Sequence, residues 1–145
     1  MPNAVLDSTA LVSAFLTKKG VSAQLLDHAV KGAFDLYLSQ GILDETRNVL
    51  LNRKHLRERF VYSDQDVEEF CTLLRAFARI VTDLPSIQAS RDPSDDMVIA
   101  CAQGASAPYI VTRDKDLLVL KTYQGITMIR PEEFIHLVRK QSSEP

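Results

Sequence analysis

Tryptophan is absent from this 145-residue chain, and cysteine, histidine and glycine are scarce, with two, three and five copies. Each shortage removes a class of function. Cys71 and Cys101 sit in helix-like apolar surroundings with no Cys-x-x-Cys spacing, so neither a zinc site nor a disulfide framework is indicated. Free thiols in such settings behave as small buried hydrophobes. His28, His55 and His136 are scattered, and none has a neighbouring motif for nucleophilic catalysis. The glycines form no Gly-x-Gly-x-x-Gly and no Gly-Lys-Ser/Thr loop, so nucleotide-cofactor binding is unsupported.

Long apolar runs are missing too. None approaches the roughly 18 residues that span a bilayer, and the opening Met1-Pro2-Asn3-Ala4-Val5-Leu6-Asp7 lacks the basic start of a secretory signal. The expectation is a cytoplasmic protein without a membrane segment. A formal net charge of −2 gives no overall basic signature for nucleic acid. Acids gathered around a cation can nonetheless mask a basic surface elsewhere. The length suits one domain over residues 1–145, with a core from about 4 to 134 and a frayed tail at 141–145.

What the chain does contain is acid at the ends of apolar runs. Arg91-Asp92-Pro93-Ser94-Asp95-Asp96 leads into Met97-Val98-Ile99-Ala100-Cys101-Ala102, closed by Gln103-Gly104, which reads as a loop, a cap and a buried helix. Tyr109-Ile110-Val111-Thr112 is a short β-rich run delivering Arg113-Asp114-Lys115-Asp116. Near the start, Ala4-Val5-Leu6 ends in Asp7-Ser8-Thr9 and a helix-like segment follows. In the helix expected after Ser39, Ile42, Leu43, Val49 and Leu50 form the apolar stripe; Glu45 flanks it while Asp44 points away. Ser63-Asp64-Gln65-Asp66 has the form of a capping box with Asp as its reciprocal acid.

Strands near residues 4, 35, 80, 110 and 127, separated by helices, describe an α/β domain around a mostly parallel sheet of about five strands. Ligands of such folds bind beyond the carboxyl ends of the strands, where strand order reverses. Asp7, Glu45, the group Asp92/Asp95/Asp96, and Asp114 with Asp116 would meet there. Converging carboxylates repel unless they share protons or a cation. Oxygen donors without His or Cys suit Mg²⁺ or Mn²⁺, and such a site performs metal-assisted phosphodiester hydrolysis.

The ordered set Val5-Leu6-Asp7-Ser8-Thr9, Glu45, Asp92 to Ala102 and Ile110 to Leu117 resembles a PIN-domain ribonuclease. More narrowly it resembles the VapC-like toxins of bacterial and archaeal toxin–antitoxin pairs. The resemblance implies a three-layer α/β/α fold and an endoribonuclease in which metal-activated water leaves a 5′-phosphate and a 3′-hydroxyl. It places the acidic quartet on Asp7, Glu45, Asp96 and Asp114, and Thr112 at the family's hydroxyl position. Asp96 is preferred to Asp95 because Ile99-Ala100-Cys101-Ala102 follows it in the family's pattern. Asp7, Asp96 and Asp114 would hold the metal, joined by Glu45 or Asp116. Thr9 stands where many relatives have Asn. A homodimer and a small antitoxin partner are implied as well.

Each feature also has a plainer reading. Acids in a first helical turn gain about 0.3–1 kcal/mol each from the helix dipole without any catalysis, and Asp114 and Asp116 could be ordinary loop acids. Arg47, Arg53 and Lys54 in a basic segment, with Arg113, are either a solvated surface or contacts to an RNA backbone. Two other functions fit less of the pattern. One is a PIN-fold RNA- or partner-binding module with weak or no turnover, which Thr9 keeps open. The other is a phosphotransferase with Asp7 as nucleophile, which would call for a second acid where the chain has Thr9.

Overall fold

The computed structural model describes residues 2–86 and 92–143, with only the backbone for residues 142 and 143. Arg91, and Glu144 and Pro145 of the expected tail, lie outside the described residues. Among those described, six strands form one sheet in the order β3-β2-β1-β4-β6-β5. These are β1 (Asn3–Leu6), β2 (Asp35–Leu38), β3 (Arg79–Ile80), β4 (Tyr109–Val111), β5 (Thr122–Tyr123) and β6 (Ile126–Ile129). All neighbours pair parallel except β5 and β6. Eight helices flank it in a three-layer α/β/α arrangement: α1 (Ser8–Leu16), α2 (Val21–Val30), α3 (Gln40–Asn52), α4 (Lys54–Arg59), α5 (Asp64–Phe77), α6 (Pro93–Ala105), α7 (Lys115–Leu118) and α8 (Pro131–Ser143).

The central strands are short, buried and nearly continuous in apolar residues, as a parallel sheet covered on both faces requires. Phe34 meets Phe134 edge to face at 5.1 Å, and Tyr109 lies 5.4 Å from Phe134, which fixes α8 to the sheet. Helix α5 begins with both halves of the capping box closed: Asp66 N–H donates to Ser63 Oγ at 3.0 Å, and Ser63 N–H donates to Asp66 at 2.9 Å.

Two local features differ from the sequence reading. The helix opened by Asp92 does not stop at Gly104 but runs through it to Ala105, and Ser106 ends it in the left-handed region at φ 53°. Gly104 serves close packing: a Cβ there would lie 2.9 Å from Asp83 O and 2.9 Å from Val81 Cγ1. Strand β5 is additional to the five strands that the sequence indicates. It is two residues long and joins β6 through Gln124 and Gly125, both at positive φ, the backbone that a tight hairpin needs.

Chain order sets the position of the site. From β1 the chain moves outward to β2 and β3, then returns to the other side of β1 to lay down β4. A crevice therefore opens between the carboxyl ends of β1 and β4. Helix α6 packs against β1, β2 and β4, and so brings its first turn to that crevice.

Candidate active site

Asp7 is the first residue past β1 and caps α1. Its Oδ1 accepts the Ala10 amide at 3.0 Å and the Thr9 hydroxyl at 2.7 Å, and its Oδ2 accepts the Thr112 hydroxyl. The Asp7 amide donates to Val111 O at 3.1 Å, joining the ends of β1 and β4. The residue is only 3% exposed, and its pKa rises from the ordinary 3.8 to about 6. Desolvation drives that rise, the hydrogen bonds from Thr112, Thr9 and Ala10 oppose it, and the charge of Asp114 adds to it. Asn or Ser would cap a helix as well without this cost, so the buried charge exceeds what the cap requires. A carboxylate offers about four lone-pair positions. Among the described residues Oδ1 accepts two bonds and Oδ2 one, which leaves one acceptor direction on Oδ2.

Past β4, Thr112 is fully buried. It donates to Asp7 and accepts the Asp114 amide at 2.9 Å. Asp114 in turn caps α7 by accepting the Asp116 amide at 2.9 Å. Helix α6 starts with Asp92 as cap and Pro93 in its first turn. Asp95, 4% exposed, lies on the stripe it shares with buried Val98, Ile99 and Ala102 at i+3, i+4 and i+7. Carboxylate oxygens of Asp95, Asp114 and Asp116 come within 4.8 Å of one another. Asp96, the expected ligand, is half-buried and outside this group, because the next helical position is turned about 100° from the stripe.

Glu45 is half-buried on α3, whereas Asp44 is exposed and accepts from Gln40 at 2.8 Å. One turn earlier on the Glu45 side, Gly41 lies so close to α6 that a Cβ would stand 2.1 Å from Met97 Sδ. Glu45 thus lies on the side of α3 that faces the start of α6. The basic candidates fare differently. Arg47 is bonded to Glu68, exposed Lys54 lies 3.9 Å from Glu58, and Arg113 grips Glu132 with two guanidinium nitrogens at 3.2 and 2.7 Å. Arg53 is exposed between α3 and α4 and makes no ion pair among the described residues.

The donor chemistry fits a hard divalent cation. The group is made of carboxylate oxygens alone, two of its members are at least partly shielded, and negative charges this close repel unless a proton or cation is shared. Cys101, six residues further along α6 than Asp95, is buried outside the group, and burial pushes its thiol up to about 12. An apolar groove of about 480 Å³ runs elsewhere, beside Phe15, Tyr62 and Phe70, and contains none of the candidate ligands.

The profile of the PIN domain family matches residues 3–116. The chain belongs to the PIN domain family. Members of that family are generally nucleases. Among solved structures, this PIN domain is similar to VapBC2 from Rickettsia felis bound to a DNA fragment from its promoter. The TM-score is 0.61 at 11% identity, covering 88% of this chain and 98% of that one. It is also similar to the T. brucei RRP44 PIN domain, with a TM-score of 0.52 at 10% identity, covering 98% of this chain and 83% of that one. At such identities the likeness is one of fold. No curated protein matches the chain.

Sequence reasoning named Asp95 among the converging acids but preferred Asp96, although the i+3, i+4, i+7 relation of Asp95 to Val98, Ile99 and Ala102 was available. It missed the bond from the Arg113 amide to Thr9 Oγ1 at 3.0 Å. No local pattern announces a contact between residues so distant in the chain.

Proposed function

We propose that this PIN domain is a divalent-metal-dependent endoribonuclease, the toxin of a toxin–antitoxin pair. The observation that supports it best is the group of acids from two segments at the reversal of strand order, Asp114 and Asp116 after β4 and Asp95 at the start of α6; Asp7 after β1 lies outside that group but near enough for the charge of Asp114 to raise its pKa. In this reading Asp95, Asp114 and Asp116 hold Mg²⁺ or Mn²⁺, and Asp7 adds its remaining Oδ2 direction. A cation bound there would lower the pKa of water and offset charge on a scissile phosphate.

The chain's own groups do the rest. Thr9 and Thr112 fix both oxygens of Asp7, so that its free acceptor direction is set before substrate arrives. Glu45, across the crevice, orients the attacking water and accepts its proton. Arg53 and exposed Lys54 meet the RNA backbone, since Arg47 and Arg113 are already bonded to Glu68 and Glu132. The protein acts in the cytoplasm, pairs with a second copy of itself, and is held inactive by an antitoxin; the VapBC2 assembly is a fold relative in which a VapC-type chain occurs with such a partner.

Labelled single-stranded RNA incubated with the protein tests this. Cleavage is expected with Mg²⁺ or Mn²⁺, with 5′-phosphate products, and is lost in EDTA and in Asp114→Asn. Cleavage that survives both treatments would refute the proposal. A second reading, RNA or partner binding without turnover, draws on Thr9: by occupying Oδ1 it leaves Asp7 a single ligand direction. Binding with no cleavage at any Mg²⁺ or Mn²⁺ concentration would favour it.

A further inference from the structure

The loop from Thr112 to Asp116 must keep its carboxylates in register with Asp7, yet it has little packing of its own. Arg113 and Asp114 are half-buried, and Lys115 and Asp116 are exposed. Its anchors are polar. The Thr112 amide donates to Ile129 O at 3.0 Å, the Arg113 amide to Thr9 Oγ1 at 3.0 Å, and the Asp114 amide to Thr112 Oγ1 at 2.9 Å. Both hydroxyls that accept these amides also donate to Asp7. Arg113 is therefore bracketed: its own amide is tied to one partner of Asp7, and the residues on either side are Asp7's other partner and the acid of the proposed metal site.

The side chain of Arg113 leaves the crevice and binds both carboxylate oxygens of Glu132, at 3.2 and 2.7 Å. Glu132 lies in the first turn of α8, whose Phe134, Ile135 and Val138 are buried in the core. A two-pronged bond of this kind fixes orientation as well as distance. The sequence reading offered Arg113 as an RNA contact, but a guanidinium committed to Glu132 is better suited to holding the loop. Its Nε is buried without a partner among the described residues, so the geometry favours the grip on Glu132 over satisfying every donor.

We infer that the Arg113–Glu132 pair is a latch: it pins the Thr112–Asp116 loop to α8 and thereby keeps Asp114 and Asp116 in register with Asp7 for cation binding. Arg113 and Glu132 are positioning residues. The consequence for the cation rests on the metal-dependent reading proposed above; the pinning of the loop does not.

The two consequences separate in one set of proteins: wild type, Arg113→Gln, Glu132→Gln and Asp114→Asn. Amide hydrogen exchange without metal reads the latch directly. The Arg113 and Asp114 amides should lose protection in both latch variants while the Ile110 amide in β4 keeps it. Mn²⁺ titration by calorimetry reads the consequence. Charge alone would make Arg113→Gln bind Mn²⁺ more tightly and Glu132→Gln less tightly, since one removes a cation and the other an anion near the site. The latch predicts weaker binding in both, by about 10-fold, as for other groups that orient metal ligands. Unchanged protection at Arg113 and Asp114, or opposite shifts in Mn²⁺ affinity, would overturn the latch. Lost protection in a protein whose wild type binds no Mn²⁺ would uphold the pinning and refute the metal-site reading. A circular dichroism melt of each variant checks that the fold persists.

Discussion

Thr112 stands between two acids: its hydroxyl proton goes to Asp7 Oδ2, and its oxygen accepts the amide of Asp114 at 2.9 Å. The residue is fully buried at the end of β4, where water has no ready access to replace either bond. One side chain thus sets the orientation of a carboxylate after β1 and of the backbone after β4, the two edges of the crevice.

Thr112→Val keeps the volume and removes both bonds. A buried carboxylate oxygen and a buried-side amide would lose their partners, and each unsatisfied group costs about 1–3 kcal/mol. The expected outcome is a loss of 1–3 kcal/mol or more on this scale at pH 7, measured by urea unfolding. The Thr112 bond also holds the pKa of Asp7 down, so that pKa should climb further in the variant. A loss smaller than about 0.5 kcal/mol would mean that the two bonds are replaced on substitution, against the assignment made here.

Asp7 predicts a particular pH dependence. Its pKa in the folded protein, about 6, lies above the ordinary 3.8, so folding favours the protonated form. Its contribution to stability is therefore greatest below pH 4, falls as pH rises from about 4 to 6, and settles at a deficit of about 3 kcal/mol at neutral pH. Asp7→Asn retains a capping side chain and removes the titration. The stability gap between variant and wild type should widen in favour of the variant across that window, in metal-free buffer, while nuclease activity is lost. A gap that stays constant from pH 4 to 7 would show that Asp7 does not titrate there. Excess Mg²⁺ should narrow the gap at neutral pH, because a ligand bound only by the folded state stabilises it.

Much of this arrangement was legible in the sequence, for identifiable reasons. Short apolar runs ending in acid or threonine gave β1 and β4, and helical phase alone separated Glu45 from Asp44, one half-buried and the other exposed. The same phase argument, applied to the stripe of Val98, Ile99 and Ala102, selects Asp95; the family's linear pattern pointed one residue further, to Asp96. Strand β5 left little trace, because two residues carry no periodicity and its evidence is the backbone of Gln124 and Gly125. The Arg113–Glu132 pair joins residues 19 apart across a strand hairpin, and only the folded chain brings them together.

Gly104 offers a test of packing against propensity. Inside a helix, Gly to Ala normally gains up to about 1 kcal/mol. Here the new methyl would meet Asp83 O and Val81 Cγ1 at 2.9 Å each, and the first of these is backbone. Overpacking of this kind costs about 1–3 kcal/mol, so Gly104→Ala should be neutral to destabilising by up to 2 kcal/mol on balance, read from the urea midpoint. A rise in stability would mean that the segment after β3 moves away freely from α6.

The sharpest choice in the site is between adjacent acids. Asp95 is buried and its carboxylate belongs to the group with Asp114 and Asp116; Asp96 is half-buried and does not. Both lie in the first turn of α6, where the helix dipole favours either by a similar amount, about 0.3–1 kcal/mol. Stability therefore discriminates poorly between them, and cation affinity discriminates well. Asp95→Asn should weaken Mn²⁺ binding and reduce RNA cleavage on the order of 10²-fold, the scale on which a preorganised charged contact acts in a shielded site. Asp96→Asn should change cleavage by less than about tenfold, as a charge near the site but outside its donor set. Calorimetric titration and initial cleavage rates on the two variants would decide it. If Asp96→Asn proves the more damaging, Asp96 rather than Asp95 is the acid of α6 that joins Asp114, and Asp95 is a helix-start acid with no part in cation binding.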